Sequence, residues 1–195
     1  MNNGIINIIP KPYLSEIFRA LRFAAFKHRH QKRKGSAGIP YIEHPIEVAS
    51  MLIEYIENPS KEAIIAALLH DTLEDTDTTS DEIASLFGNK VSEIVNEVTD
   101  DMRLSSKERK KQQIIKADDL SAEARFIKIA DKTCNIRDIL TTRIYWSRKH
   151  KIGYITWAKE LVMKICDAHQ GLFEEFKKSI EEAEESLKYK FTSVP

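Results

Sequence analysis

Several residue classes are scarce in this chain, and each scarcity removes a class of protein. Only two cysteines, Cys134 and Cys166, occur in 195 residues. Both fall in apolar, helix-patterned stretches, so the expected setting is reduced and cytoplasmic. No long apolar run is present. Residues 5–9 are interrupted by Asn7 and stopped by Pro10, far short of the roughly 20 residues a membrane span needs. They read as a loose arm, with no recognisable signal peptide. Excess charge of one sign is also missing: 30 basic residues balance 30 acidic ones. That removes the global positive field expected of a nucleic-acid binder and leaves any attraction for anions local. There is no internal repeat and no convincing strand, and the Glu/Lys-rich stretch 174–190 reads as a solvated helix face.

What is present is a soluble, globular composition, 42% hydrophobic and 31% charged, of a length for one domain. Apolar residues recur at helical offsets from end to end. Leu14, Ile17, Phe18, Leu21, Ala24 and Ala25 mark a first helix over about 12–30. Gly35, Gly38 and Pro40 make the following basic segment a loop with Ile39 extended. Pro45 suits the first turn of a second helix, and Ser60 caps a third. Thr79 with Glu82, and Ser105 with Glu108, have capping-box spacing. Further helices are expected around 91–98 and 126–139, and a long last one over about 154–187, bent near Gly171. The expected fold is an all-α bundle over 12–188, flanked by an arm (1–11) and a tail (189–195).

One set of side chains carries chemistry. His44 stands at the mouth of the second helix, His70 and Asp71 end the apolar third, and Asp131 lies within a later helix. Two imidazoles and two carboxylates form a mixed N/O set for one divalent ion, Mn2+, Fe2+ or Zn2+. Such an ion polarises a phosphoryl oxygen and acidifies a water, so phosphate-ester hydrolysis is the expected chemistry. Asp71, Glu74 and Asp75 would repel one another unless a cation lay between them. Glu74 and Asp75 are then placed to orient or deprotonate the attacking water. Taken singly, each residue has an ordinary reading: His44 as a cap, His70 as a satisfied imidazole, Asp131 as the surface partner of Lys128. Taken together, four such accidents are hard to accept. Asp131, Asn135 and Asp138 also share one helical stripe, a polar seam that must face something polar, with Asn135 in reach of a sugar or phosphate. Lys27, Arg29 and Lys32 suffice as a solvated helix end. Arg33 and Lys34, in the loop before His44, are open to that reading or to stacking on a purine and neutralising phosphate.

These residues stand in an ordered series: Arg-Lys at 33–34, Pro-Tyr-Ile-Glu-His-Pro at 40–45, Ala-Ala-Leu-Leu-His-Asp-Thr-Leu-Glu-Asp-Thr at 66–76, Glu-Val-Thr-Asp-Asp at 97–101 and Ile-Ala-Asp-Lys-Thr-Cys-Asn-Ile-Arg-Asp at 129–138. Over about 20–168 the chain resembles the HD-domain phosphohydrolases, and more closely the hydrolase domain of the RelA/SpoT family of alarmone enzymes. The resemblance implies a single HD-domain helical bundle and removal of the 3′-diphosphate of guanosine tetra- or pentaphosphate, with Mn2+ as the usual metal. It implies His44, His70, Asp71 and Asp131 as ligands and Glu74 and Asp75 as the catalytic acidic pair. Arg33, Lys34, Tyr41 and Asn135 are its nucleotide contacts. The chain stops where larger members continue into a synthetase domain, so a stand-alone hydrolase is expected. A small guanine nucleotide is the expected partner, without nucleic acid or membrane, and a homodimer is left open. Three positions depart from the family pattern: Thr133 and Cys134, expected to reshape the pocket wall, and His150, where single-domain relatives usually place a phosphate-holding Arg. Lys149 or Lys151 is the candidate substitute. A phosphatase acting on the 2′-phosphate of NADPH, and a non-catalytic nucleotide sensor, are the competing functions.

Overall fold

The computed structural model describes residues 11–33, 38–141 and 146–189. In chain order the helices begin with α1 (Lys11–Lys27), α2 (Glu43–Tyr55), α3 (Lys61–Leu69) and α4 (Thr72–Asp75). Then come α5 (Ser80–Phe87), α6 (Asn89–Val98) and α7 (Ser106–Lys116). The last are α8 (Ala122–Leu140), α9 (Arg148–Lys164) and α10 (Gln170–Tyr189). No helix of the described residues is long and apolar enough to cross a membrane.

Polar side chains start these helices where the sequence offers them. Ser60, Thr79 and Ser105 accept the backbone N–H three residues on, at 3.1, 3.1 and 3.2 Å, each satisfying a donor that helix geometry leaves open. Glu82 turns its carboxylate to Lys27, 3.1 Å away, and so ties α5 to α1.

Two helices form the axis of the bundle. Every residue of α3 from Ala63 to Leu69 is buried, because α1, α2 and α6 pack around it. Its apolar surface therefore runs all round instead of forming a stripe. α8 is enclosed by α2, α10, α6 and α9, and its burial extends to Lys128, Asp131, Lys132 and Asp138. Polar residues on the buried axis, and not at the surface, position the site.

The expected last helix is two helices, α9 and α10, parted by a 3-10 turn at Cys166–Ala168. The Ile165 N–H bonds the Val162 carbonyl at 3.0 Å, tightening the final turn of α9. His169 then takes an extended conformation, and its Nδ1 accepts the Leu172 N–H at 3.4 Å, restarting the helix. Fully buried Ile165 and Leu172 fix the corner from inside. Cys166 thus sits in a turn and not in a helix.

Among the described residues the only β pairing is one antiparallel bridge, Lys32 with Pro40. Arg33 N–H reaches the Ile39 carbonyl at 2.8 Å and Tyr41 N–H the Gln31 carbonyl at 3.1 Å. Gly38, at φ 96°, makes the return, a conformation that favours glycine. The clip fixes the backbone from which Arg33 and Tyr41 extend.

Because α3 is enclosed on every side, Leu69→Ala is expected to destabilise the fold by about 2–5 kcal/mol, and Ser60→Ala by about 1 kcal/mol. Urea unfolding followed by circular dichroism measures both, and the order of the two effects is the check.

Candidate active site

Three helix ends and the middle of a fourth helix bring the donors together. His44 comes from the first turn of α2, His70 closes α3, Asp71 precedes α4, and Asp131 faces them from the middle of α8. His44 Nε2 lies 3.1 Å from Asp131 Oδ1 and 3.7 Å from Asp71 Oδ2, and His70 Nε2 lies 3.0 Å from Asp71 Oδ2. One donor atom each from His44, His70 and Asp131 falls within 4.8 Å of the others. Both imidazoles are buried.

The hydrogen bonds around the cluster say which atoms are left for a ligand. His70 Nδ1 lies 2.8 Å from the Ala67 carbonyl, which can only accept, so Nδ1 carries a proton and Nε2 is the atom that offers a lone pair once the ring is neutral. That Nε2 is buried without a hydrogen-bond partner, with the Asp71 carboxylate beside it. Two electron-rich atoms so close require a cation between them, a proton or a metal ion. The donor set and this orphaned nitrogen fit a divalent ion.

The titration behaviour follows. Burial works against the His70 imidazolium, but the Asp71 charge prevails and pushes it up to about 9. Burial would raise Asp71, yet His70 and His44 hold it well below the usual carboxylate range. Burial keeps His44 below its ordinary value. Burial, with the Asp71 charge, pushes Glu74 up to about 7 although its Oε1 accepts the Asp100 N–H at 2.6 Å.

The carboxylates are also held in place. Tyr41 Oη donates to Asp71 Oδ2 at 2.5 Å. Asn135 Nδ2 donates to Asp131 Oδ1 at 2.5 Å and Lys132 Nζ to Oδ2 at 2.6 Å. Burial disfavours the Lys132 cation, and Asp131 more than offsets this. Arg33 pairs with Asp138 at 2.8 Å and donates to Asn135 Oδ1 at 2.6 Å, with its guanidinium 5.6 Å from the centre of the Tyr41 ring. The seam of Asp131, Asn135 and Asp138 therefore faces Arg33.

All of this opens on one cavity of about 500 Å³. Arg33, Tyr41, Asn135, Glu74 and the four donors line it. Asp75 is exposed and outside the lining, though close enough for its charge to disfavour ionisation of Tyr41. Lys34 lies outside the described residues. Lys128 is buried and donates to the Val98 carbonyl at 2.7 Å, so it is not a surface partner of Asp131.

Sequence reasoning missed the far wall. Trp146, Tyr154 and Trp157 of the α9 region border the cavity. Both tryptophans are half-buried and pack on the core from the cavity side: Trp157 Nε1 donates to the Lys110 carbonyl at 3.1 Å and Trp146 stacks on His150, 4.2 Å between ring centres. His150 lines the cavity, whereas Lys151 Nζ points to the Ile139 carbonyl, 3.4 Å away. Thr133 donates to the Ile129 carbonyl at 2.8 Å and Cys134 borders a separate groove. Among the described residues, neither shapes this cavity wall.

A helical bundle that gathers two imidazoles and two carboxylates under a polar cavity defines a class, the metal-dependent hydrolases of the HD type. The family model described as HD domain matches residues 20–152, and the chain belongs to that family. Within it the chain is 43% identical over 169 residues to the mouse guanosine-3′,5′-bis(diphosphate) 3′-pyrophosphohydrolase MESH1, covering 86% of this chain and 94% of that protein. Its zebrafish counterpart is 46% identical over 147 residues, covering 75% and 82%. The solved structure of a metazoan ortholog of SpoT, described as hydrolysing ppGpp, matches with a TM-score of 0.82 at 36% identity, covering 86% of this chain and 95% of that one.

Since His70 must lose its proton before Nε2 can ligate, metal affinity should climb with pH below about 9 and level off above it. The expected slope is up to about tenfold per pH unit. Calorimetric titration of metal-stripped protein between pH 6 and about pH 10 measures it, and a flat profile contradicts the assignment of His70.

Proposed function

We propose that this chain is a guanosine-3′,5′-bis(diphosphate) 3′-pyrophosphohydrolase, taking water and guanosine tetra- or pentaphosphate to pyrophosphate and GDP or GTP. The observation that carries the reading is the cluster of His44, His70 and Asp131, with Asp71 against both imidazoles and Glu74 beside them, in one cavity whose remaining walls bear cations. The names of the relatives support the same reading.

His44, His70, Asp71 and Asp131 are the proposed ligands of one Mn2+ ion, with Fe2+ or Zn2+ acceptable to the same donors. When bound, the ion supplies electrophilic polarisation of the phosphoryl group and acidifies water. The chain's own groups do the rest. The Ala67 carbonyl fixes the tautomer of His70, Tyr41 fixes Asp71, and Lys132 with Asn135 fixes Asp131. With Oε1 of Glu74 held by the Asp100 N–H, Oε2 is the atom proposed to take the proton of the attacking water. A base whose pKa lies near the working pH suits that task. Asp75 is the proposed second member of the acidic pair, acting from the rim. Arg33 and Lys34 are proposed to meet the purine and a phosphate, and Asn135 the ribose or phosphate.

The decisive experiment incubates Mn2+-loaded protein with guanosine tetraphosphate and, separately, with NADPH, and identifies the released anion. Pyrophosphate from the first is expected. Orthophosphate from NADPH alone would support the competing phosphatase, and no turnover of either would support the sensor reading. Asp71→Ala should abolish turnover, and Glu74→Gln should lower kcat about 10²- to 10⁴-fold. Asp75→Asn should cost less, because its carboxylate stands outside the cavity.

A further inference from the structure

The α7 wall of the cavity has no part in the chemistry described so far. No residue of α7 is fully buried, yet Ser106, Arg109, Lys110 and Gln113 line the cavity from it. Their offsets of three, four and seven put them on one helical face. This helix turns its polar side inward.

Two of the four are already engaged. Gln113 donates to Asp100 Oδ2 at 2.8 Å, and Arg109 donates to the Leu104 carbonyl at 2.9 Å with Asp100 3.6 Å away. Lys110 differs. Its Nζ lies 4.9 Å from the Trp157 ring centre and 5.4 Å from that of Tyr154, and no carboxylate of the described residues pairs with it. Lys132 Nζ approaches the same indole, also at 4.9 Å, but Lys132 is neutralised by Asp131. Burial and the nearby Lys132 charge both lower the proton affinity of Lys110, the mark of a cation short of an anion.

The place is also built in advance. Trp157 donates its indole N–H to the carbonyl of Lys110 itself, so backbone and ring are locked together, and the two aromatic faces hold the ammonium group. The donors of the metal cluster come from α2, the α3–α4 junction and α8. Lys110 is separated from Asp131 by Lys132 and Trp157.

We propose that Lys110 is a specificity-determining residue that binds the anionic group which the substrate carries away from its scissile bond, the 5′-diphosphate of the nucleotide. This rests on the pyrophosphohydrolase reading above. A half-buried ammonium without a counter-ion gains a charge-assisted hydrogen bond from a phosphate oxygen, and a ligand lacking that phosphate leaves it as it was.

The test compares kcat/KM for guanosine 3′,5′-bis(diphosphate) with that for guanosine 3′-diphosphate, which keeps the scissile group and lacks the 5′ charge. In Lys110→Gln the ratio of the two is expected to fall about tenfold, through KM and not kcat, and to recover in Lys110→Arg. GDP, which keeps only the 5′-diphosphate, should bind Lys110→Gln about tenfold more weakly than the unaltered protein by calorimetry. Thermal melts establish that the variants are folded. An unchanged ratio, or equal losses on both substrates, overturns the assignment of Lys110 while leaving the hydrolase reading intact. Failure of the unaltered protein to hydrolyse either nucleotide overturns both.

Discussion

Two imidazoles with carboxylate oxygens 3.0–3.7 Å from their Nε2 atoms hold together only if positive charge lies among them. The rest of the molecule is arranged around that demand. α3 must be enclosed on all sides for His70 to be dry, and α8 must run through the centre for Asp131 to meet it. Each carboxylate has one or both oxygens held by a neutral or cationic donor, which fixes its orientation toward the imidazoles. A half-satisfied version of this network would be worse than an apolar core.

Much of this was legible in the sequence because it is local. Ser60, Thr79 and Ser105 act within three residues of themselves, and the apolar run ending in His70 and Asp71 announces both a buried helix and what it delivers. Periodicity also placed Asp131, Asn135 and Asp138 on one seam. What sequence could not supply is the identity of the neighbour across space. Arg33 lies more than a hundred residues from Asp138, its partner at 2.8 Å. Lys128 and Lys132 look solvent-facing when a helix is assumed to have one wet side, but α8 has none over its middle turns. Asp75 follows Asp71 by one helical turn, its N–H bonded to the Asp71 carbonyl at 3.0 Å, yet its side chain is exposed and outside the cavity lining, which spacing alone does not reveal. The corner at Cys166–Ala168 was invisible for a similar reason. It is made by a shortened hydrogen bond and a histidine cap, neither of which a hydrophobic pattern records.

The basic loop shows how a small amount of backbone pairing serves a site. One bridge and a glycine return hold Arg33 where it reaches α8 and leans over Tyr41, and Tyr41 in turn holds Asp71. The basic loop and the His/Asp cluster are therefore connected through two side chains. Loss of the Arg33 guanidinium would remove a buried partner of Asp138, a larger penalty than the loss of an exposed ion pair.

α7 has a different standing in the molecule. Since none of its residues is fully buried, a change on its cavity-facing side disturbs less packing than one on α3 or α8, whose middle turns are enclosed. The cavity therefore has one wall that can be altered by substitution without reaching into the bundle's enclosed axis.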